Sequence, residues 1–120
     1  MANDIILEWS RLLPLTGIEV DKLNYNIIEG VYRISKKESD GKFYVIFIGS
    51  AIDLKKELLT LISEKETNFL KQGGELSFRY APVKGEETRK AIEKQMYKQY
   101  APEYNLKEPV GSLDIKVNLN

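Results

Sequence analysis

The chain has 120 residues, 42% of them apolar, which suits one packed domain rather than several. It carries 18 basic and 18 acidic residues, so its formal net charge is zero. That argues against strong non-specific binding to nucleic acid, an affinity built from many cation–phosphate contacts, though it leaves room for a local basic face. With neither cysteine nor histidine, the chain has no disulfide, thiolate nucleophile, imidazole base or Cys/His zinc site. Catalysis, if any, falls to tyrosine, hydroxyl, lysine, arginine or carboxylate groups.

Asp4 is a candidate helix cap, and Ile5, Ile6, Trp9, Leu12 and Leu13 follow at spacings of three and four. This predicts an amphipathic N-terminal helix that ends at Pro14 and Gly17 and is anchored by Trp9. Residues 18–26 read as a loop with at most a short helical turn. Val31–Ser35 alternates apolar and polar residues, a half-buried strand. Asp40-Gly41 is a hairpin signal, and Phe43–Ile48, apolar on both faces, reads as the central strand. Asp53 caps a helix running to about Lys71, with Leu54, Leu58, Leu61 and Ile62 as its apolar stripe and Gly73-Gly74 as its stop. Leu76, Phe78 and Tyr80 alternate with Ser77 and Arg79 in a further strand closed by Pro82. Residues 86–100 form a second long helix with Ile92, Met96 and Tyr100 inward. Leu113–Val117 alternates as a short strand or ordered tail.

The expected fold class is α/β (α+β): a small three-stranded antiparallel sheet flanked by helices, with an extra N-terminal helix. The expected divisions are residues 1–27 (helix and connecting loop), 28–106 (the core domain) and 107–120 (the tail). No apolar run approaches the roughly 20 residues of a membrane span, and no basic stretch leads into a long apolar core at the N-terminus. A cytoplasmic protein without a membrane partner is the expectation.

Two triplets lie on consecutive strands, Gly30-Val31-Tyr32 and Phe47-Ile48-Gly49. A helix entry, Asp53-Leu54-Lys55-Lys56, follows the second. Later come Glu93 on a helix and the closing segment Tyr100-Ala101-Pro102-Glu103-Tyr104-Asn105. In that order, from about Gly30 to Asn105, they resemble the GIY-YIG nuclease superfamily, and the closing segment resembles its excision-repair branch. The resemblance implies a phosphodiester-cleaving site. Tyr32 would position or deprotonate the attacking water. Glu93 would hold one divalent metal, Mg²⁺ or Mn²⁺, and Asn105 would brace the site. A hard cation needs carboxylate oxygen and keeps water at its other positions, where it polarises phosphate.

Each of these residues also has a plainer role. Tyr32 can be an amphipathic core residue, Glu93 a helix-rim carboxylate paired with Arg89 at i,i+4, and Asn105 a turn residue. The chain also departs from the pattern at two positions. Phe47 stands where the family has a tyrosine, and Glu57, eight residues after Gly49, stands where it has an arginine. Loss of one hydroxyl contact at a transition state costs about 10²–10³ in rate. The charge reversal is worse, since an anion near a phosphate repels by about 4 kcal/mol at an effective dielectric near 20. Lys55, Lys56 and Arg79 are the candidate replacement cations, although Lys56 points about 100° from Glu57 around a helix. Glu57 is either a solvated helix residue or a second carboxylate converging on Glu93.

Three functions follow. The first is a nuclease-like domain with cleavage lost or much reduced that still binds DNA or RNA. The second is an active, divergent Mg²⁺-dependent endonuclease using Tyr32 and Glu93. The third is a protein-interaction module with a protein partner and no nucleic-acid role.

Overall fold

The computed structural model describes residues 5–23, 28–63, 75–102 and 117–118. The elements in chain order are β1 (Ile5–Ile6), β2 (Leu13–Pro14), α1 (Gly17–Asp21), β3 (Gly30–Lys37), β4 (Phe43–Ala51), α2 (Leu54–Ser63), β5 (Leu76–Pro82), α3 (Glu86–Tyr100) and β6 (Val117–Asn118). A four-stranded antiparallel sheet has the order β2-β5-β3-β4. A separate two-stranded parallel ladder joins β1 to β6.

The N-terminal helix expected from the apolar spacing is replaced by extended chain. Ser10 N–H donates to the Tyr80 carbonyl at 2.8 Å and Leu15 N–H to the Leu76 carbonyl at 2.9 Å, so the segment runs along the outer edge of β5. The reason lies in where its apolar residues go. Leu7 and Trp9 pack on one face of the sheet with Ile92 and Met96, whereas Leu13 and Leu15 pack on the other with Val20 and Phe78. A helix would aim its stripe at a single core; a strap crossing a sheet edge supplies both. Pro14, which has no N–H to donate, is exposed on this edge strand. The sheet therefore gains a fourth strand. The short turn in the following loop is α1, capped by Thr16, whose hydroxyl accepts from Glu19 N–H at 3.2 Å.

The strand order also differs from expectation. The central strand is β3, every residue of which is buried from Gly30 to Ser35, while the more apolar β4 lies at the edge with Tyr44 exposed. Polarity misleads because the buried Arg33 is covered by aromatic rings and not by water. The β3–β4 hairpin turns at Asp40-Gly41 as the sequence implies. Gly41 adopts φ 82°, and the Asp40 carboxylate accepts from Lys42 N–H at 2.8 Å. A register shift between Ile34 and Ser35 leaves Ile46 as an extra residue on β4.

Two cores sandwich the sheet. Tyr32, Ile34 and Phe78 meet Leu54 and Leu58 of α2 and Val20 of α1. On the opposite face Val31, Ile48 and Ala81 meet Ile92 and Met96 of α3. Asp53 caps α2, its carboxylate accepting from Lys56 N–H at 3.1 Å. The expected extension of this helix to Lys71 and its Gly73-Gly74 stop lie outside the described residues. Helix α3 matches its expected span and ends with Ala101 in the left-handed conformation, φ 44°, just before Pro102. Of residues 113–117, read as a short strand or an ordered tail, Val117 is described and pairs with Ile5.

Candidate functional site

The two triplets are held together by the register of β3 on its neighbours. Tyr32 stands opposite Gly49. A Cβ at Gly49 would lie 2.4 Å from the Tyr32 hydroxyl oxygen, so only glycine lets that side chain run across β4. Gly30 is equally constrained on the other side, where an added Cβ would come within 2.2 Å of the Ala81 carbonyl oxygen. The phenyl ring of Phe47 lies beside Tyr32, with centroids 6.2 Å apart and planes tilted by 35°.

Past Gly49, the Tyr32 hydroxyl donates a 3.0 Å hydrogen bond to Glu57 Oε2 in the first turn of α2. Glu57 is half-buried, not the solvated helix residue that is one of its two sequence readings. Tyr32 is 1% exposed. Burial is the main force holding its phenol well above the usual value; next come the charge of Glu57 and its hydrogen bond, and then the charge of Glu93. Glu93, half-buried on α3, thus lies within electrostatic reach of the same hydroxyl. The structure therefore brings Tyr32, Phe47 and Glu57 together, while Glu93 belongs to α3, whose apolar side packs on the opposite face of the sheet. Asn105, the fourth expected position, lies outside the described residues.

This arrangement limits the chemistry. The phenol is neutral at physiological pH and its proton is committed to Glu57, so its oxygen is left to accept hydrogen bonds. Beside it is an open depression of about 440 Å³, lined by Ser50, Ala51, Ile52, Asp53, Lys56, Glu57 and Thr60. Lys56 lines it together with Glu57, although adjacency in the helix would turn them apart. None of the other cations suggested by sequence serves the Tyr32 hydroxyl. Lys55 Nζ donates to the Asp21 carbonyl at 3.1 Å. Arg79 pairs across the sheet with Arg33, on the face opposite Tyr32. Arg89 is buried and ion-paired with Glu29, not with Glu93 as the helix spacing suggests.

Among the described residues no group of three carboxylates is placed to cage a metal. A divalent cation of the Mg²⁺ type needs less, since it binds through one or two carboxylates and keeps several waters. Glu93 meets that requirement, and the donor chemistry fits such an ion. What the sequence left unseen is the bond between Tyr32 and Glu57. Its one signal is that Glu57 immediately precedes Leu58, at the border of the apolar stripe of α2.

A sheet with helices on both faces, with the first triplet on its central strand and the second on the adjacent edge strand, is the fold of a GIY-YIG domain. The chain is similar to the N-terminal endonuclease domain of UvrC from Thermotoga maritima bound to its catalytic divalent cation, magnesium. Identity is 25% over 72% of this chain and 96% of that one, with a TM-score of 0.53. A tyrosine-to-phenylalanine mutant of that domain, also bound to its catalytic divalent cation, aligns at 26% identity over 72% of this chain and 96% of its own, with a TM-score of 0.51. No family model and no curated protein matches the chain. No helix among the described residues is long and apolar enough to cross a membrane.

Proposed function

We propose that this chain is a GIY-YIG endonuclease-like domain in which phosphodiester cleavage is lost or much reduced, and whose remaining role is to bind nucleic acid. The observation that carries this reading is the hydrogen bond from Tyr32 to Glu57. At the position where the resemblance calls for a phosphate-neutralising arginine, a carboxylate holds the hydroxyl meant for the attacking water. An anion there opposes a scissile phosphate by about 4 kcal/mol at an effective dielectric near 20. Phe47 removes a second hydroxyl from the same neighbourhood.

The similar UvrC domain binds magnesium as its catalytic cation. Here Glu93 would hold Mg²⁺ or Mn²⁺, which when bound polarises a phosphate oxygen. The chain's own contribution is limited to the Glu57 and Lys56 side chains at the depression and the buried Tyr32 hydroxyl bonded to Glu57. Incubating the full chain with branched and nicked DNA in Mg²⁺ or Mn²⁺, with Glu93→Ala as control, tests the reading. No cutting beyond the control is expected; Glu93-dependent cutting overturns it.

The opposite reading, an active metal-dependent endonuclease using Tyr32 and Glu93, has one observation in its favour. Glu57 is placed to accept a proton through Tyr32, a relay that would replace a phenolate base. The same cleavage assay decides between the two.

A further inference from the structure

The sheet face opposite Tyr32 holds a second polar cluster that the candidate site does not use. Arg33 on β3 stands directly across from Arg79 on β5. Paired positions on adjacent antiparallel strands place their Cβ atoms about 5 Å apart, close enough for two guanidinium groups to converge on one ligand. Arg33 is 7% exposed, and Arg79 is half-exposed. The Arg33 guanidinium lies 4.0 Å from the centre of the Trp9 ring and 5.3 Å from that of Tyr100, and donates to the Tyr100 hydroxyl.

The cluster is rich in donors and poor in acceptors. Among the described residues neither arginine has a carboxylate partner, and the Arg79 side chain makes no hydrogen bond. The Trp9 indole N–H is buried in the same cluster with no acceptor. Two like charges side by side, one of them withdrawn from water, are costly to hold, and aromatic faces offset only part of that cost. Burial pulls Arg33 below its ordinary value and the Arg79 charge adds to this, while Tyr100 opposes both. Elsewhere the chain behaves differently: the other buried arginine, Arg89, has its carboxylate in Glu29. What the Arg33–Arg79 pair lacks is an anionic acceptor with several oxygens, the chemistry that planar guanidinium forks bind best.

We propose that Arg33 and Arg79 form an anion site for a phosphate group, walled by Trp9 and Tyr100 and entered from the half-exposed Arg79 side. The phosphate is either a free ion or part of a nucleic-acid backbone. The site is independent of Tyr32 and Glu93, so it stands whether or not the chain cleaves DNA.

Trp9 is the only tryptophan and packs on Arg33, so its fluorescence reports the site directly. The full chain is titrated with inorganic phosphate, against chloride at matched ionic strength, and then with a short single-stranded DNA. A saturable phosphate-specific change is expected, together with a rise of several degrees in melting temperature. Arg79→Gln should weaken phosphate binding at least tenfold. Arg79→Lys, which keeps the charge and loses the fork, should fall between the two. If Arg79→Gln does not fold, the Arg79→Lys comparison carries the test. DNA binding tighter than phosphate, with affinity falling steeply in salt, assigns the site to a nucleic-acid backbone. Response to phosphate alone assigns it to the free ion. A response shared equally by chloride, or an affinity unchanged by both substitutions, overturns the proposal.

Discussion

Tyr32 and Arg33 are neighbours in one strand, and strand alternation sends them to opposite faces of the sheet. On the first face a neutral phenol is held by a carboxylate. On the other, two arginines face each other across adjacent strands, and among the described residues neither is bonded to a carboxylate. A chain with zero net charge has thus placed negative charge where phosphodiester chemistry would need a cation, and positive charge one residue away on the wrong side. Composition cannot reveal this, because the segregation arises from a one-residue step along β3.

The largest expected effect bears on the arginine face. Trp9→Ala removes the ring over Arg33 and the anchor of the N-terminal strap, and should cost about 3 kcal/mol in urea unfolding. A loss below about 1 kcal/mol would mean that the strap is dispensable and the two faces differ less than their packing suggests. On the other face, Glu57→Arg exchanges the acid beside Tyr32 for a cation. Metal-dependent cleavage should then rise by about 10²-fold over the unmodified chain, the scale of one stabilising contact at a transition state. No gain would place the block elsewhere, with Phe47 the next substitution to reverse.

Gly49→Ala probes the passage between the strands. Its Cβ would meet the Tyr32 hydroxyl, so the buried ring must move or the strands must part. We expect a loss of about 2 kcal/mol from overpacking, with the Tyr32–Glu57 bond broken. An unchanged melting temperature would show that Tyr32 has room to turn aside. The smallest effect is expected from Tyr32→Phe, about 1 kcal/mol at neutral pH for the lost hydrogen bond. Its pH dependence is more telling. The folded phenol titrates well above the unfolded one, so the unfolded chain sheds its proton first as pH rises past about 10. Stability contributed below that point is lost on going higher in the unmodified chain and not through this group in the variant. The gap between the two should narrow from pH 9 to pH 11 in thermal melts; a constant gap would contradict the burial and charge assigned to Tyr32.

Much of the fold is legible in the sequence because it is local. The Asp40-Gly41 turn, the Asp53 cap, the span of α3 and the stop at Pro102 each depend on residues close in the chain. Two readings failed where the deciding contacts are distant. The apolar spacing of residues 5–13 suits a helix, yet Leu7 and Trp9 serve the core on one face of the sheet and Leu13 the core on the other. The polar alternation of β3 suits a half-exposed strand, yet β3 pairs with both β4 and β5, and Trp9 and Tyr100 roof over Arg33. In the site, the triplets Gly30-Val31-Tyr32 and Phe47-Ile48-Gly49 mark the scaffold. They do not show that Glu57 would close on Tyr32, or that Arg89 would turn from Glu93 to Glu29.

By itself the sequence determined the strands around both triplets, the strand before Pro82, the start of α2 and the span of α3, the absence of thiol and imidazole chemistry, and the acid at residue 57. Those follow from residue identity and from periods of two and 3.6. Only the tertiary structure decided which charges meet. It set Tyr32 against Glu57, Arg33 beside Arg79 and Arg89 on Glu29. A charge acts over a few ångströms, and here those ångströms separate residues 25 to 60 positions apart in the chain.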